Sequence, residues 1–131
     1  MNNVLTPELG RVYRYTRKFT RADILEFARV TGDAGRHHVN PDGPVVAQGL
    51  LVASIVTKLG GDMNYIARTM DFEMIKPVKE GEDITGELKV IALVRTAKRF
   101  KLIMDCTCRN ALGEMVITGQ SRGLIWLENT N

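Results

Sequence analysis

The sequence predicts an α+β domain in which one curled antiparallel sheet wraps around a central buried helix. Three observations predict it. First, the run GLLVASIVTKL from Gly49 to Leu59 carries one charge, Lys58, at its far end. A surface helix shows a polar face, so this stretch, as a helix, must be covered on nearly all sides. It is too short to span a bilayer, which takes about 20 apolar residues. Second, beyond Gly61 the patterning changes from helical to alternating, strand after strand. Third, 131 residues suffice for one domain with a real core and are too few for two, so 1–131 reads as a single domain.

The elements follow in order. Val12 to Phe19 carries Tyr13, Tyr15 and Phe19 and fits a first strand. Thr20-Arg21-Ala22-Asp23 is a capping-box variant, with Asp23 placed at the positive end of a helix. Ile24, Phe27, Ala28 and Thr31 recur at helical spacing, so a helix runs from about Arg21 to about Val30, and Gly32 ends it. Residues 32 to 46 read as a loop, with Asn40-Pro41-Asp42-Gly43-Pro44 dense in turn formers. Val45 and Val46 lead into the buried helix, which Gly60-Gly61 closes.

Then come the strands. Met70, Phe72 and Met74 alternate with Asp71 and Glu73, and Pro77 to Glu82 forms a turn. Ile84, Gly86, Leu88 and Val90 share one face of the next strand; Leu102, Met104, Cys106 and Cys108 share one face of another. Asn110-Ala111-Leu112-Gly113 is a hairpin turn, and Met115 to Leu127 is the last, long strand. Four successive strands with short connections predict an antiparallel meander. Strand twist curls such a sheet, and its concave face can wrap one apolar helix. That is the hot-dog arrangement. A single curled sheet leaves an open edge, so a homodimer or a dimer of dimers is expected.

Composition narrows the function classes. Apolar residues make up 44% and charged residues 25%, a globular balance. The net charge of +3 is spread along the chain, with a mild cluster at Lys98-Arg99-Phe100-Lys101. Aromatics total 6%, which speaks against a nucleic-acid reader; a modest basic bias also suits a phosphorylated small molecule. Cys106 and Cys108 are the only cysteines. They read as small buried hydrophobes rather than as half of a metal site, and unpaired thiols suit a reducing compartment. Met1 to Gly10 shows no apolar run behind a basic head. A soluble, cytoplasmic protein with no membrane or nucleic-acid partner is expected.

Both histidines, His37 and His38, lie in the polar stretch before the buried helix. Asp33 and His38 are the pair to weigh. In a glycine-containing loop they can turn towards each other, and a carboxylate and an imidazole sharing one water form an acid–base arrangement. Spacing alone favours the simpler reading, a turn-capping aspartate and a solvated histidine. Adjacent histidines in an extended loop point opposite ways, so only one should face the site. Gly49 is the third element. Unpaired amides in the first turn of the buried helix, with no side chain in the way, can hold a developing oxyanion; the glycine equally permits close packing. Ser54 and Thr57 have no base at a recognisable offset, and back-bonding to the preceding turn is the simpler role. No Lys-Ser/Thr follows Gly60-Gly61, so it is not a phosphate loop.

Taken together, Phe19-Thr20-Arg21-Ala22-Asp23-Ile24, Phe27-Ala28, Thr31-Gly32-Asp33, His38, Ala47-Gln48-Gly49-Leu50-Leu51 and Ala53-Ser54 resemble the MaoC-like family, which includes the (R)-specific enoyl-CoA hydratases. Phe72 and Lys76-Pro77-Val78-Lys79-Glu80-Gly81 extend the resemblance to about Val90. The resemblance implies a hot-dog dimer acting on acyl-CoA or acyl-carrier-protein thioesters in fatty acid metabolism, with no metal or redox cofactor. It places water activation on Asp33 and His38 and the thioester oxygen on the Gly49 amide. It places Thr57 near the acyl channel. The chain departs from the pattern at Gly35-Arg36, where the family usually has Asn-Pro, and at Gln48, where it usually has histidine; the segment from His38 to Ala47 is also shorter. The implied reaction is reversible hydration of a trans-2-enoyl thioester to the (R)-3-hydroxyacyl thioester. A hot-dog acyl-CoA thioesterase and a non-catalytic acyl-CoA binder are the alternatives. Arg36, Lys76, Lys79, Arg95, Lys98 and Arg99 are all candidates for a CoA phosphate.

Overall fold

The computed structural model of the chain describes residues 6–127, so the first five positions of the N-terminal segment read above lie outside it. Its elements are β1 (Val12–Lys18), α1 (Arg21–Thr31), α2 (Arg36–Val39), α3 (Gly49–Asp62), β2 (Ile66–Met74), β3 (Asp83–Arg95), β4 (Arg99–Asn110) and β5 (Met115–Trp126). The local signals around α1 act as read. Thr20 Oγ1 accepts from the Asp23 amide at 3.1 Å and the Thr20 amide donates to Asp23 Oδ2 at 3.0 Å. These bonds to Thr20, helped by Arg17, hold the Asp23 carboxyl below its ordinary range. Gly32 closes α1 at φ 80°, a left-handed conformation that glycine adopts without strain.

The five strands form one antiparallel sheet in the order β1-β3-β4-β5-β2. The expected four-strand meander therefore holds for β3, β4 and β5 only. β2 cannot follow beside β3, because β1 and β4 already occupy both of that strand's edges. It pairs instead with β5, at the far edge. The chain between β2 and β3 pairs with the segment before α3: the Ala47 amide donates to Val78 O at 2.7 Å and the Glu80 amide to Val45 O at 3.0 Å. The hairpin after β4 is as read, with Gly113 at φ 79° and the Asn110 side chain accepting from the Leu112 and Glu114 amides, both at 3.0 Å.

α3 lies on the concave face. Leu51, Val52, Ile55, Val56 and Leu59 are buried, each stabilising the fold by about 1.5–3 kcal/mol. They meet Leu88, Val90, Leu102, Met104, Cys106 and Cys108 from the sheet. Burial pushes the free Cys106 thiol up to about 12, with the Cys108 and Asp105 charges adding to the effect, and the Cys108 thiol up to about 11. Two expectations for α3 are corrected. It is not covered on nearly all sides: Leu50 is 67% exposed, and Thr57, Lys58 and Gly61 are exposed with it. One sheet covers one side of a helix and leaves this stripe open. Nor does Gly60-Gly61 close the helix, which continues to Asp62. Gly60 instead makes room for Tyr65, whose ring would meet a Cβ there at 3.3 Å. Among the described residues no helix is long and apolar enough to cross a membrane.

Candidate active site

The stretch read as a loop contains a single helical turn, α2, and this turn carries both histidines. Gly32 turns the chain out of α1 and Gly35 opens α2, with the His38 amide donating to Gly35 O at 2.8 Å. Both histidines are thus helical neighbours rather than residues of an extended strand. Their rings lie 3.8 Å apart, centre to centre, tilted by 48°. Only His38 is buried; His37 stays exposed. One histidine of the two faces inward, as expected, but by rotation about a helical turn and not by alternation.

His38 is held by the backbone. Its Nδ1 lies 2.7 Å from Val46 O, and a carbonyl only accepts, so Nδ1 carries a proton and donates it. That tautomer leaves Nε2 with a free lone pair in the neutral ring. Nε2 points at Asp33, 3.6 Å from Oδ2. The Asp33 carboxylate is 53% exposed, and among the described residues it has no other ion-pair or hydrogen-bond partner. With the ring in that neutral form, Nε2 and Asp33 Oδ2 are both acceptors and cannot bond each other directly. A water donating one proton to each satisfies both, so the geometry suits a shared water.

Reading the sequence missed two supports of this pair. The first is Val46 itself, fixed by its amide on His37 O at 2.9 Å and by a bridge to Lys79. The second is Arg21. Its guanidinium donates to Asn40 O at 3.1 Å and to Gly43 O, and meets Glu80 through Nε at 2.8 Å and NH2 at 3.1 Å. One side chain at the start of α1 thereby ties the loop after α2 to the turn before β3. The motif placed Arg21 on the page, but its partners are backbone carbonyls far along the chain, which no spacing reveals.

Gly49 is the first residue of α3, and no side chain caps that helix. Its amide is free of a side-chain acceptor and lies in the positive first turn. A Cβ at Gly49 would meet Met74 Cγ at 2.9 Å, so the glycine also serves close packing. Beside it opens a cavity of about 150 Å³ lined by Val52, Met74, Lys76, Pro77, Val78 and Ile117. Asp33 and His38 do not line this cavity in the single chain. Gln48 is buried; its Nε2 donates to Ile24 O at 3.0 Å and ties α3 to α1, while Oε1 has no partner among the described residues. Ser54 back-bonds to Leu51 O at 2.5 Å, as expected. Thr57 is exposed, eight residues along α3 from Gly49, and the single chain does not bring it to Asp33 and His38.

No family model matches the chain. Curated relatives do. The chain is 26% identical over 127 residues to the 3-hydroxybutyryl-CoA dehydratase of Methylorubrum extorquens, covering 87% of this chain and 78% of that one. It is 27% identical over 130 residues to the (R)-specific enoyl-CoA hydratase of Aeromonas caviae, covering 87% and 92%. A solved (R)-hydratase of A. caviae superposes with a TM-score of 0.80 at 23% identity, covering 91% of this chain and 96% of that one. A MaoC-like dehydratase from Rhodospirillum rubrum does so with a TM-score of 0.77 at 17% identity, covering 94% and 95%. The architecture is thus that of the hot-dog fold. Among the proteins similar to this chain are enoyl-CoA hydratases and 3-hydroxyacyl dehydratases, which are lyases, and a MaoC-like dehydratase.

Proposed function

We propose that the chain reversibly hydrates a trans-2-enoyl thioester, carried on CoA or on acyl carrier protein, to the (R)-3-hydroxyacyl thioester. The observation that carries this reading is the Asp33–His38 pair, 3.6 Å apart with the His38 tautomer set by Val46 O. His38 Nε2 and the Asp33 carboxylate accept hydrogen bonds from the two O–H groups of one water; one of these O–H bonds breaks in the reaction and the other remains as the hydroxyl on C3. Its oxygen adds to C3, the double-bond electrons move towards the thioester carbonyl, and a proton taken from the water passes to C2. The net change is one water added. The Gly49 amide stabilises the charge on the thioester oxygen, and the apolar cavity beside it takes part of the acyl chain. No step requires a metal or redox cofactor. The relatives' reactions support this choice over thioester hydrolysis or binding alone.

A second copy completes the site in this reading. Met70 and Met74 of β2 face the α3 side yet remain 48% and 45% exposed, and Leu50 and Thr57 of α3 are exposed too. A partner strand on β2 covers this edge of the sheet and brings Thr57 into a closed channel. The cytoplasm, where both carriers are found, is the proposed compartment. The test is to mix the protein with crotonyl-CoA and follow the enoyl-thioester absorbance and free thiol together. Wild type should lose absorbance without releasing thiol, and Asp33→Asn and His38→Ala should abolish the loss. Thiol release instead indicates a thioesterase. Ligand-induced thermal stabilisation with neither change indicates a binder.

A further inference from the structure

The basic cluster noted around Lys98 is not used by the site above. Strand alternation places Arg99 and Lys101 of β4 on the face of the sheet turned away from α3, since Leu102 and Met104 belong to the core. Arg122 of β5 pairs across from Ile103 on that same outer face. Arg68 reaches it from the edge: the β2–β5 register shifts between Ala67 and Thr69, and the bulged residue is re-aimed. These four cations line a groove of about 510 Å³ floored by Ala92, Val94 and Ile103. No described residue forms an ion pair with any of them. Two carboxylates share this outer face without pairing with these cations: Asp105 accepts from Gln120 Nε2 at 3.2 Å, while Gln120 Oε1 accepts from Arg122 at 3.3 Å, and Asp71 stands across from Gln120 on β2. Through Arg99 and Lys101 the groove continues into a second hollow containing Lys98 and Trp126. Trp126 is 52% exposed, with the Arg99 guanidinium 5.4 Å from its ring centre.

Like charges on adjacent strands repel, so a cluster with no ion pair among the described residues costs stability unless something anionic joins it. Arginine forks match phosphate oxygens in pairs. An exposed indole beside them offers a stacking surface for a planar ring. The volume falls within the roughly 300–1,000 Å³ typical of small-molecule sites. We propose that this outer groove binds a phosphate-bearing mononucleotide, its phosphates on Arg68, Lys101 and Arg122 and its base against Trp126. The site lies on the opposite face of the sheet from α3 and does not depend on the hydratase reading.

Trp126 is the only tryptophan in the sequence, so its fluorescence reports on the groove directly. The full chain is titrated at low ionic strength with ADP, pyrophosphate and adenosine, with calorimetry in parallel. ADP should change the emission saturably, pyrophosphate should compete, and adenosine should bind far more weakly. Lys101→Ala with Arg122→Ala, and separately Arg68→Ala, should weaken ADP, the pair by about tenfold or more. Arg14→Gln with Arg29→Gln removes two cations elsewhere and should leave it unchanged. CoA carries the same nucleotide chemistry: tighter binding than ADP, lost in the same variants, assigns the groove to a carried nucleotide, and equal or weaker binding to a free one. The proposal is overturned by the absence of a saturable signal or by equal weakening in the control pair. A single-stranded oligonucleotide that outcompetes ADP by orders of magnitude also overturns it, in favour of a nucleic-acid surface.

Discussion

At the scale of single residues, the proposed chemistry depends on which nitrogen of His38 is free. Val46 O accepts from Nδ1 at 2.7 Å, which in the neutral ring leaves Nε2, the proposed base, facing Asp33. Two substitutions separate the two nitrogens. Asn at position 38 can still donate an amide hydrogen towards Val46 O but has no counterpart of Nε2. Ala removes both and leaves a carbonyl without its partner, which costs about 1–3 kcal/mol where water cannot replace it. His38→Asn should therefore keep most of the wild-type thermal stability while kcat for enoyl-thioester hydration falls by about 10²–10⁴-fold. His38→Ala should lose both. Equal stability in the two variants would show that the Val46 bond does not hold the ring. The sequence showed the pair because Asp33 and His38 are residue types with chemistry. It could not show Val46, whose contribution is a backbone carbonyl placed by its bridge to Lys79, nor the reach of Arg21 to Asn40 O and Glu80.

At the scale of elements, the decisive contact is the seat of α3 on β3. A Cβ at Gly86 would stand 2.3 Å from Ile55 Cγ2 and 3.1 Å from Ile55 Cβ. Ile55 is buried and β-branched, so it has little rotamer freedom with which to yield. Gly86→Ala should thus push α3 off the sheet and cost about 1–3 kcal/mol in urea unfolding. Ile55→Ala alone leaves a cavity and costs about 2–5 kcal/mol. In the double variant the new methyl fills part of that cavity, so its cost should fall short of the sum. Strictly additive costs would mean the two residues do not share the contact. Element type was legible from the sequence wherever a period or cap was strong, as in α1 with its box at Thr20 and Asp23. α2 was not: a single turn carries too few residues to show a period, and its composition of Arg36, His37, His38 and Val39 has no apolar face. The strand order was hidden for another reason. Alternation fixes faces and says nothing about neighbours, and only β1 on the far edge of β3 sends β2 to β5.

At the scale of the whole molecule, the two edges of the sheet differ. β1 carries Arg14, Arg17 and Lys18, charges that discourage edge-to-edge pairing. β2 presents Ile66, Met70 and Met74, with Ile75 just beyond, all between 45% and 49% exposed. The expectation that α3 is covered on nearly all sides is not met by one chain. Leu50 and the stripe through Thr57 are open in the single chain, as are Met70 and Met74. A second copy paired antiparallel along β2 would cover the strand edge and that stripe at once. A stable interface needs about 800 Å² per partner, and a nine-residue strand spans about 30 Å of edge. Wild type should sediment as a dimer at micromolar concentration, and Met70→Glu should shift it to monomer by setting like charges against each other in an apolar seam. If the proposed channel past Thr57 closes only in the pair, the same variant should also lose hydratase activity although Met70 touches neither Asp33 nor His38. A monomeric wild type that hydrates crotonyl-CoA at full rate would refute the shared channel, and a Met70→Glu dimer would move the interface to another edge.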